Sequence, residues 1–377
     1  MVPPAVVDAM LPFFSDSYEN ASSICGMSAH VDAPIREAKA ALAALCGSSE
    51  PECFFLTSGA TEANNWAVIA STQACRDGAR VITTAIEHPS VLEPISYLKS
   101  SGVDVVVSPV LSSGVIDCET LIQSVTPRTC LVSVMAANNE TGVIQPVGLL
   151  ARRVKEIAPD CIFHTDATQV VGKIPMFLDE DMDCVDLLSL SGHKFHGPKG
   201  IGALFARDPS RLPALLRGGG QQNDKRSGTL NTPGAAGLAA AARLAIVAIS
   251  DDAVSQMRAL RDSLEAEMFA RLPGLSFIGA DVARLPNTSQ FLLPGVDAVA
   301  VVYALAQRGI CVATGSACSA GAESPSHVLL AMGVPHEKAW SAMRVSLSRF
   351  ETKQHLDIFA DACVTAVNDA SAVFDPE

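Results

Sequence analysis

The chain has 377 residues, 49% hydrophobic and 18% charged, and carries a net charge of −13 from 27 basic and 40 acidic side chains. No apolar run reaches the roughly eighteen residues that a membrane helix needs, and the hydrophobic share is too high for a disordered tail. Without a basic stripe, this balance argues against nucleic-acid and membrane partners and for a small molecule or another protein. The opening Met1-Val2-Pro3-Pro4-Ala5 lacks a basic region followed by an apolar stretch, so a cytoplasmic setting is expected.

Between residues 52 and 206, short runs of Val, Ile and Leu alternate with helix-like stretches, the pattern of a mostly parallel sheet covered by helices. Strands are predicted over 53–56, 80–85, 104–107, 130–135, 161–165, 186–190 and 201–206. Five of them run into polar clusters: Thr57-Ser58-Gly59-Ala60-Thr61-Glu62, Glu87-His88-Pro89-Ser90, Asn138-Asn139-Glu140-Thr141-Gly142, Asp166-Ala167-Thr168-Gln169 and Ser191-Gly192-His193-Lys194. In open α/β sheets, ligands bind at the carboxyl ends of the strands, so the five clusters predict one site. An Ala-rich helix over 234–249 follows Gly218-Gly219-Gly220. From residue 251 the pattern changes to a charged helix, strands near 275–278 and 288–293, a helix over 299–307 and a strand over 344–348. The expected organisation is a large domain over 10–249 and a smaller α+β domain over 250–377, with residues 1–9 packed on the smaller one.

The turn Thr57 to Thr61 places Gly and hydroxyl residues where a strand passes into a helix, which suits a phosphate as well as it suits an ordinary N-cap. Lys194, at a strand end, can form a Schiff base if desolvation or a neighbouring cation lowers its pKa; alone it reads as a surface lysine. A phosphate seat, an acidic residue for a ring nitrogen (Asp166) and an imidazole (His88) are together what pyridoxal phosphate requires. Asp166 alone reads as an N-cap, and Gln169 and His88 alone as satisfied polar residues. His193 and His196 have no carboxylate or cysteine at ligand spacing, so no metal is expected. The eleven cysteines contain no CxxC pair, and most are expected to be reduced, buried fillers. Cys318 differs, standing in Thr314-Gly315-Ser316-Ala317-Cys318-Ser319-Ala320-Gly321, a small-residue loop that suits an accessible nucleophile. Arg344, within Ala-Met-Arg-Val-Ser, can clamp a carboxylate bidentately, or form a surface ion pair.

Seven segments, Thr-Ser-Gly-Ala-Thr-Glu, Glu-His-Pro-Ser, Asn-Asn-Glu-Thr-Gly, Asp-Ala-Thr-Gln, Ser-Gly-His-Lys, Arg-Ser-Gly-Thr and Gly-Ser-Ala-Cys, follow one another in an order that resembles the cysteine desulfurases. The likeness is to the NifS/IscS-like group I branch of the class V aminotransferases, and it extends from about Val2 to the end. It implies an α/β fold of fold type I with a mostly parallel seven-stranded sheet, a smaller α+β C-terminal domain and pyridoxal 5'-phosphate as cofactor. By that resemblance Lys194 carries the Schiff base, Asp166 meets the pyridine nitrogen, Gln169 meets the phenolic oxygen, and His88 stacks on the ring and moves protons. The phosphate would lie among Ala60, Thr61, Ser191 and His193, with Thr229 reaching it from the second subunit of a homodimer. Asn139 and Arg344 would bind the carboxylate of L-cysteine. Cys318 would take its sulfur as a persulfide, leaving L-alanine, and pass it to an iron–sulfur scaffold or another sulfur acceptor. Relatives begin with a strand ending in an Asn-Ala-Thr-Thr-like segment, whereas this sequence opens at Val2-Pro3-Pro4, just beyond it. Selenocysteine lyase, and a cofactor-binding homologue without turnover for want of that segment, are the alternatives.

Overall fold

Seven short runs of buried residues assemble into one sheet in the order β1-β7-β6-β5-β4-β2-β3. They are β1 (Phe54–Thr57), β2 (Arg80–Thr84), β3 (Asp104–Ser108), β4 (Thr129–Ser133), β5 (Ile162–Asp166), β6 (Leu187–Ser191) and β7 (Gly202–Ala206). Strands β2 to β6 run parallel and β7 is antiparallel to both its neighbours, so β1 shares the direction of β6. The carboxyl ends of β1, β2, β4, β5 and β6 therefore lie along one edge. The computed structural model describes residues 1–21, 28–73, 78–249, 251–314 and 324–374. Among them, no single helix is long and apolar enough to cross a membrane.

Contacts divide the chain into two compact units. The first comprises Met1–Ser108, Cys118–Ala136 and Gln145–Ser250. Its helices are α1 (Pro4–Met10), α2 (Pro12–Ser15), α3 (Ser28–Leu45), α4 (Ala60–Gln73), α5 (Pro89–Ser100), α6 (Cys118–Ser124), α7 (Val147–Ile157) and α8 (Thr232–Ala248). Helices α4 and α5 cover one face of the sheet, where Trp66, Ala67, Val91 and Ile95 pack with Phe55, Val81, Leu131, Ile162 and Leu204. Each large side chain buried there stabilises the unit by about 1.5–3 kcal/mol. On the same face the residues toward the carboxyl ends turn polar, with Ser133, His164, Asp166 and Ser189 all buried. Helix α8 begins at an Asn231 cap whose side chain accepts from the Gly234 N–H, with Pro233 in the first turn, and packs against α3 and α1.

The second unit comprises Pro109–Asp117, Ala137–Ile144 and Asp251–Glu377. It is built on an antiparallel sheet of β8 (Ser276–Phe277), β9 (Thr288–Leu292), β10 (Ala313–Thr314) and β11 (Ala342–Ser346), in the order β10-β11-β9-β8. Helices α9 (Asp251–Arg271), α10 (Ala298–Gln307) and α13 (Lys353–Phe374) supply Leu264, Met268, Val301, Leu305 and Phe359 to a core that includes Phe291 and Met343. Two short helices, α11 (His327–Ala331) and α12 (His336–Ala339), lie between β10 and β11 in the chain.

This division departs from the expected boundaries at 10–249 and 250–377 in two respects. Residues 1–9 belong to the first unit, where α1 packs on α8 and Val6 is fully buried. Their apolar side chains, rather than their distance from the sheet in sequence, decide the partner. Segments 109–117 and 137–144 join the second unit, the latter through the pairing of residues 143 and 144 with the chain at 284 and 283.

Candidate active site

At the end of the sheet, Thr57, Gly202 and Ser191 stand in one row across β1, β7 and β6. A Cβ on Gly202 would come within 2.8 Å of the Gly59 Cα, so only glycine lets the Thr57–Thr61 turn fold down onto the sheet. The turn thereby brings Gly59 to Ser191, whose Oγ lies 3.5 Å from where a Gly59 Cβ would stand. Ser191 Oγ is also 2.9 Å from His193 Nδ1. The first turn of α4, with Ala60 and the exposed Thr61, adds backbone N–H groups that lack intrahelical acceptors. Burial, with the ammonium groups of Lys194, Lys199 and Lys173 nearby, holds the His193 imidazole below its ordinary pKa. Lys194 is exposed in the short turn Gly192–Phe195 that follows β6.

Asp166, at the end of β5, is buried with a donor on each oxygen: Asn64 Nδ2 at 2.7 Å from Oδ2 and the Thr168 N–H at 3.0 Å from Oδ1. Gln169 Oε1 accepts from Lys173 Nζ at 2.6 Å, which leaves its amide nitrogen as the group it can offer. His88 caps α5, with Nδ1 accepting from the Ser90 N–H at 3.1 Å and lying 2.8 Å from Ser90 Oγ. Thr61, His88, Ser90, Glu93 and Tyr97 line a groove of about 500 Å³ between α4 and α5.

Thr229 is exposed in a loop that is tied back to α4 by a bidentate pair, Arg226 Nε to Glu62 Oε1 at 2.7 Å and Nη2 to Oε2 at 3.1 Å. Burial works against the charge on Glu62, but hydrogen bonds from Arg226 and Ser58 outweigh it and hold the carboxyl below its ordinary pKa. In the same loop, the Gln222 side chain accepts from the Leu56 N–H at 2.6 Å and donates to the Leu56 carbonyl at 2.9 Å along β1.

The cluster after β4 passes into the second unit, so it does not join the other four within the first. There Asn138 Oδ1 accepts from the N–H groups of Glu140 and Thr141 at 2.9 and 3.0 Å, closing a turn that ends on Gly142 at φ +74°. Arg344, on β11, donates from Nη1 to the Asn139 carbonyl at 2.9 Å, so the two expected carboxylate ligands are neighbours. Glu140 is buried and accepts from the Ser326 hydroxyl. Burial raises its pKa to about 7, against the opposing pull of Ser326, Arg344 and Gln290.

Cys318 lies outside the described residues. Of the described cysteines, Cys46, Cys161 and Cys363 are buried thiols pushed up to about 12 by burial, as fillers should be. Cys311 is a free thiol that is exposed rather than buried, and Cys130 is disulfide-bonded.

Residues 1–359 match the family described as Aminotransferase class-V. A cysteine desulfurase of Sinorhizobium fredii is 43% identical over 93% of this chain and 90% of its own length. The chain is a member of the cysteine desulfurases. A solved structure described as a NifS-like protein superposes with a TM-score of 0.90 at 36% identity, covering 98% of this chain and 96% of that one. Another, described as SspA in complex with cysteine, gives a TM-score of 0.80 at 32% identity over 93% and 97% of the two chains. The fold type I architecture with its mostly parallel seven-stranded sheet, expected from the sequence, is thus the fold of this desulfurase chain.

The buried residues His164 and Asn64 of this desulfurase escaped the reading of the sequence, and Glu87, read there as part of a strand-end cluster, was given no role. His164 is fully buried, with Nδ1 2.8 Å from Ser133 Oγ and Nε2 3.0 Å from Ser189 Oγ, and burial lowers its pKa to about 4. Glu87 Oε1 accepts from Thr84 Oγ1 at 2.7 Å and from the Met135 N–H at 2.9 Å; burial lifts its pKa to about 8. Asn64 is the third. Its signal was a polar residue on the inward stripe of α4, beside Ala63, Ala67 and Val68.

Proposed function

We propose that the protein releases L-alanine from L-cysteine, holding pyridoxal 5'-phosphate at the strand-end cluster of the first unit and receiving the sulfur on Cys318. The observation that carries this reading is the convergence on one sheet edge of Asp166, the Gly59 turn with Ser191 and His193, and Lys194. The donor set suits the cofactor. Asp166, with N–H donors on both oxygens, presents a carboxylate suited to face a protonated ring nitrogen. Ala60, Thr61, Ser191 and His193 offer hydroxyl and N–H groups to a phosphate, and the neighbouring lysines offset its charge.

The bound cofactor would supply an electron sink for charge developing on the amino acid joined to it. Lys194 would hold it covalently and exchange protons at the substrate carbon. Gln169 would donate its amide to the phenolic oxygen, and His88 would stack on the ring and move protons. Arg344 and Asn139 would orient the carboxylate of L-cysteine. The Cys318 thiolate would attack the substrate sulfur and keep it as a persulfide, while the carbon–sulfur bond would break with its electron pair left on the substrate carbon, which would take up a proton to give alanine. Thr229, exposed on its anchored loop, is suited to reach the phosphate of a second subunit in a homodimer. The persulfide would pass to an iron–sulfur scaffold or another sulfur-accepting protein. A cytoplasmic setting belongs to the same proposal.

The test is incubation of the purified protein with L-cysteine, with alanine quantified and the persulfide mapped by alkylation and mass spectrometry. Cys318→Ser should keep cysteine binding yet lose persulfide and nearly all alanine, whereas Cys311→Ser should keep both. Parental alanine release by Cys318→Ser, or a persulfide on Cys311, overturns the assignment. Turnover of L-selenocysteine that survives Cys318→Ser while cysteine turnover is lost would favour the lyase.

A further inference from the structure

The geometry points to Asn64 as a positioning residue that ties Asp166 and His88 into one hydrogen-bonded unit. This deepens the reading above and rests on it for the roles of those two residues. Asn64 is fully buried on α4, and its amide nitrogen lies 2.7 Å from Asp166 Oδ2 and 2.8 Å from Ser90 Oγ. Both amide hydrogens are thereby spent, while Oδ1 is buried without a hydrogen-bond partner. Turning the amide over would aim that oxygen at the Asp166 carboxylate, so its orientation is fixed by charge. An orphaned buried acceptor is costly, and an apolar side chain at this position would avoid it. What the amide gains in exchange is directional.

Oδ1 of Asp166 is already taken by the Thr168 N–H, so the bond from Asn64 to Oδ2 locks the carboxylate plane. Through Ser90 the same amide reaches the imidazole. The Ser90 oxygen accepts from Asn64, which leaves the hydroxyl proton to be donated to His88 Nδ1, 2.8 Å away. The Ser90 N–H meets the same nitrogen at 3.1 Å. With two donors aimed at Nδ1, the neutral ring carries its proton on Nε2. Asp166, Asn64, Ser90 and His88 thus form a chain in which every donor direction follows from its neighbour.

Two variants separate this role from simple packing. Asn64→Leu removes both donors at similar volume, and Ser90→Ala removes only the link to the imidazole. Cofactor-free protein labelled with 15N-histidine should show His88 as the Nε2–H tautomer, its signal identified by its loss in His88→Gln. Ser90→Ala should move the Nδ1 resonance downfield, and Asn64→Leu should move it less in the same direction. Pyridoxal phosphate should bind the cofactor-free Asn64→Leu protein about ten- to a hundredfold more weakly than the parent, and Ser90→Ala within about threefold of it. An unmoved His88 resonance in Ser90→Ala overturns the inference even if Asn64→Leu does not fold. So does parental cofactor affinity in Asn64→Leu. A parent that binds no pyridoxal phosphate would instead sink the proposed function, while the resonance shifts would still report on the chain itself.

Discussion

Asp166 and Glu140 are buried carboxylates, one in each unit, and their partners differ. Asp166 takes N–H donors on both oxygens, one from the Thr168 backbone and one from the Asn64 amide. Glu140 takes a hydroxyl, which can turn and serve a protonated acid equally well, and burial leaves its pKa at about 7. Behind Asp166, Glu87 has a pKa raised to about 8, so near neutrality it is mostly uncharged and adds little repulsion to Asp166. The first region surrounds its carboxylate with N–H donors. The second can change its charge near neutral pH beside Arg344, the residue proposed to hold the substrate.

The strongest way to break the first region is Lys194→Ala. Alanine formation should fall to background, and borohydride treatment followed by peptide mapping should find no reduced cofactor on the chain. A reduced cofactor recovered from a different lysine would remove Lys194 from the site.

In the second region, Arg344→Ala should raise the KM for L-cysteine about ten- to a hundredfold, corresponding to about 1.5–3 kcal/mol for lost bonds to a carboxylate. The cofactor spectrum should stay as in the parent, since the role proposed for Arg344 is a bond to the substrate carboxylate and not to the cofactor. Simultaneous loss of cofactor would make it a structural residue.

Glu140→Gln sharpens the comparison with the smallest effect. The folded pKa of about 7 lies above the ordinary 4.5, so between these values the folded chain binds more protons than the unfolded one. Stability contributed by this group is full below about 4.5 and is lost as pH rises toward 7. Glutamine keeps an acceptor for Ser326 and does not titrate, so thermal melts across this window should show the parent losing stability relative to the variant. Parallel pH profiles would exclude the assignment; Glu87, present in both proteins, cancels in the difference.

What was legible in the sequence follows from the same physics. A buried parallel strand shows as an unbroken apolar run, which is why β4, β5 and β6 stood out, and the polar residues at their ends marked the edge where a ligand can bind. Three kinds of feature were not legible. His164 reads as one more strand residue in Ile-Phe-His-Thr-Asp, because its partners Ser133 and Ser189 come from neighbouring strands. The two-residue strand β10 is too short to show any period. The cluster after β4 could not be assigned to the second unit without the pairing of residues 143 and 144 with 284 and 283.

The Gln222 side chain on β1 bears on self-association. An outer strand normally presents unpaired N–H and C=O groups on which another molecule can add a strand of its own. Strand β1 is four residues long and stands first in the sheet. At Leu56 the primary amide of Gln222 makes the donor–acceptor pair that an incoming strand would make. One side chain thus occupies the pairing groups of Leu56 on that strand without adding another strand to the sheet.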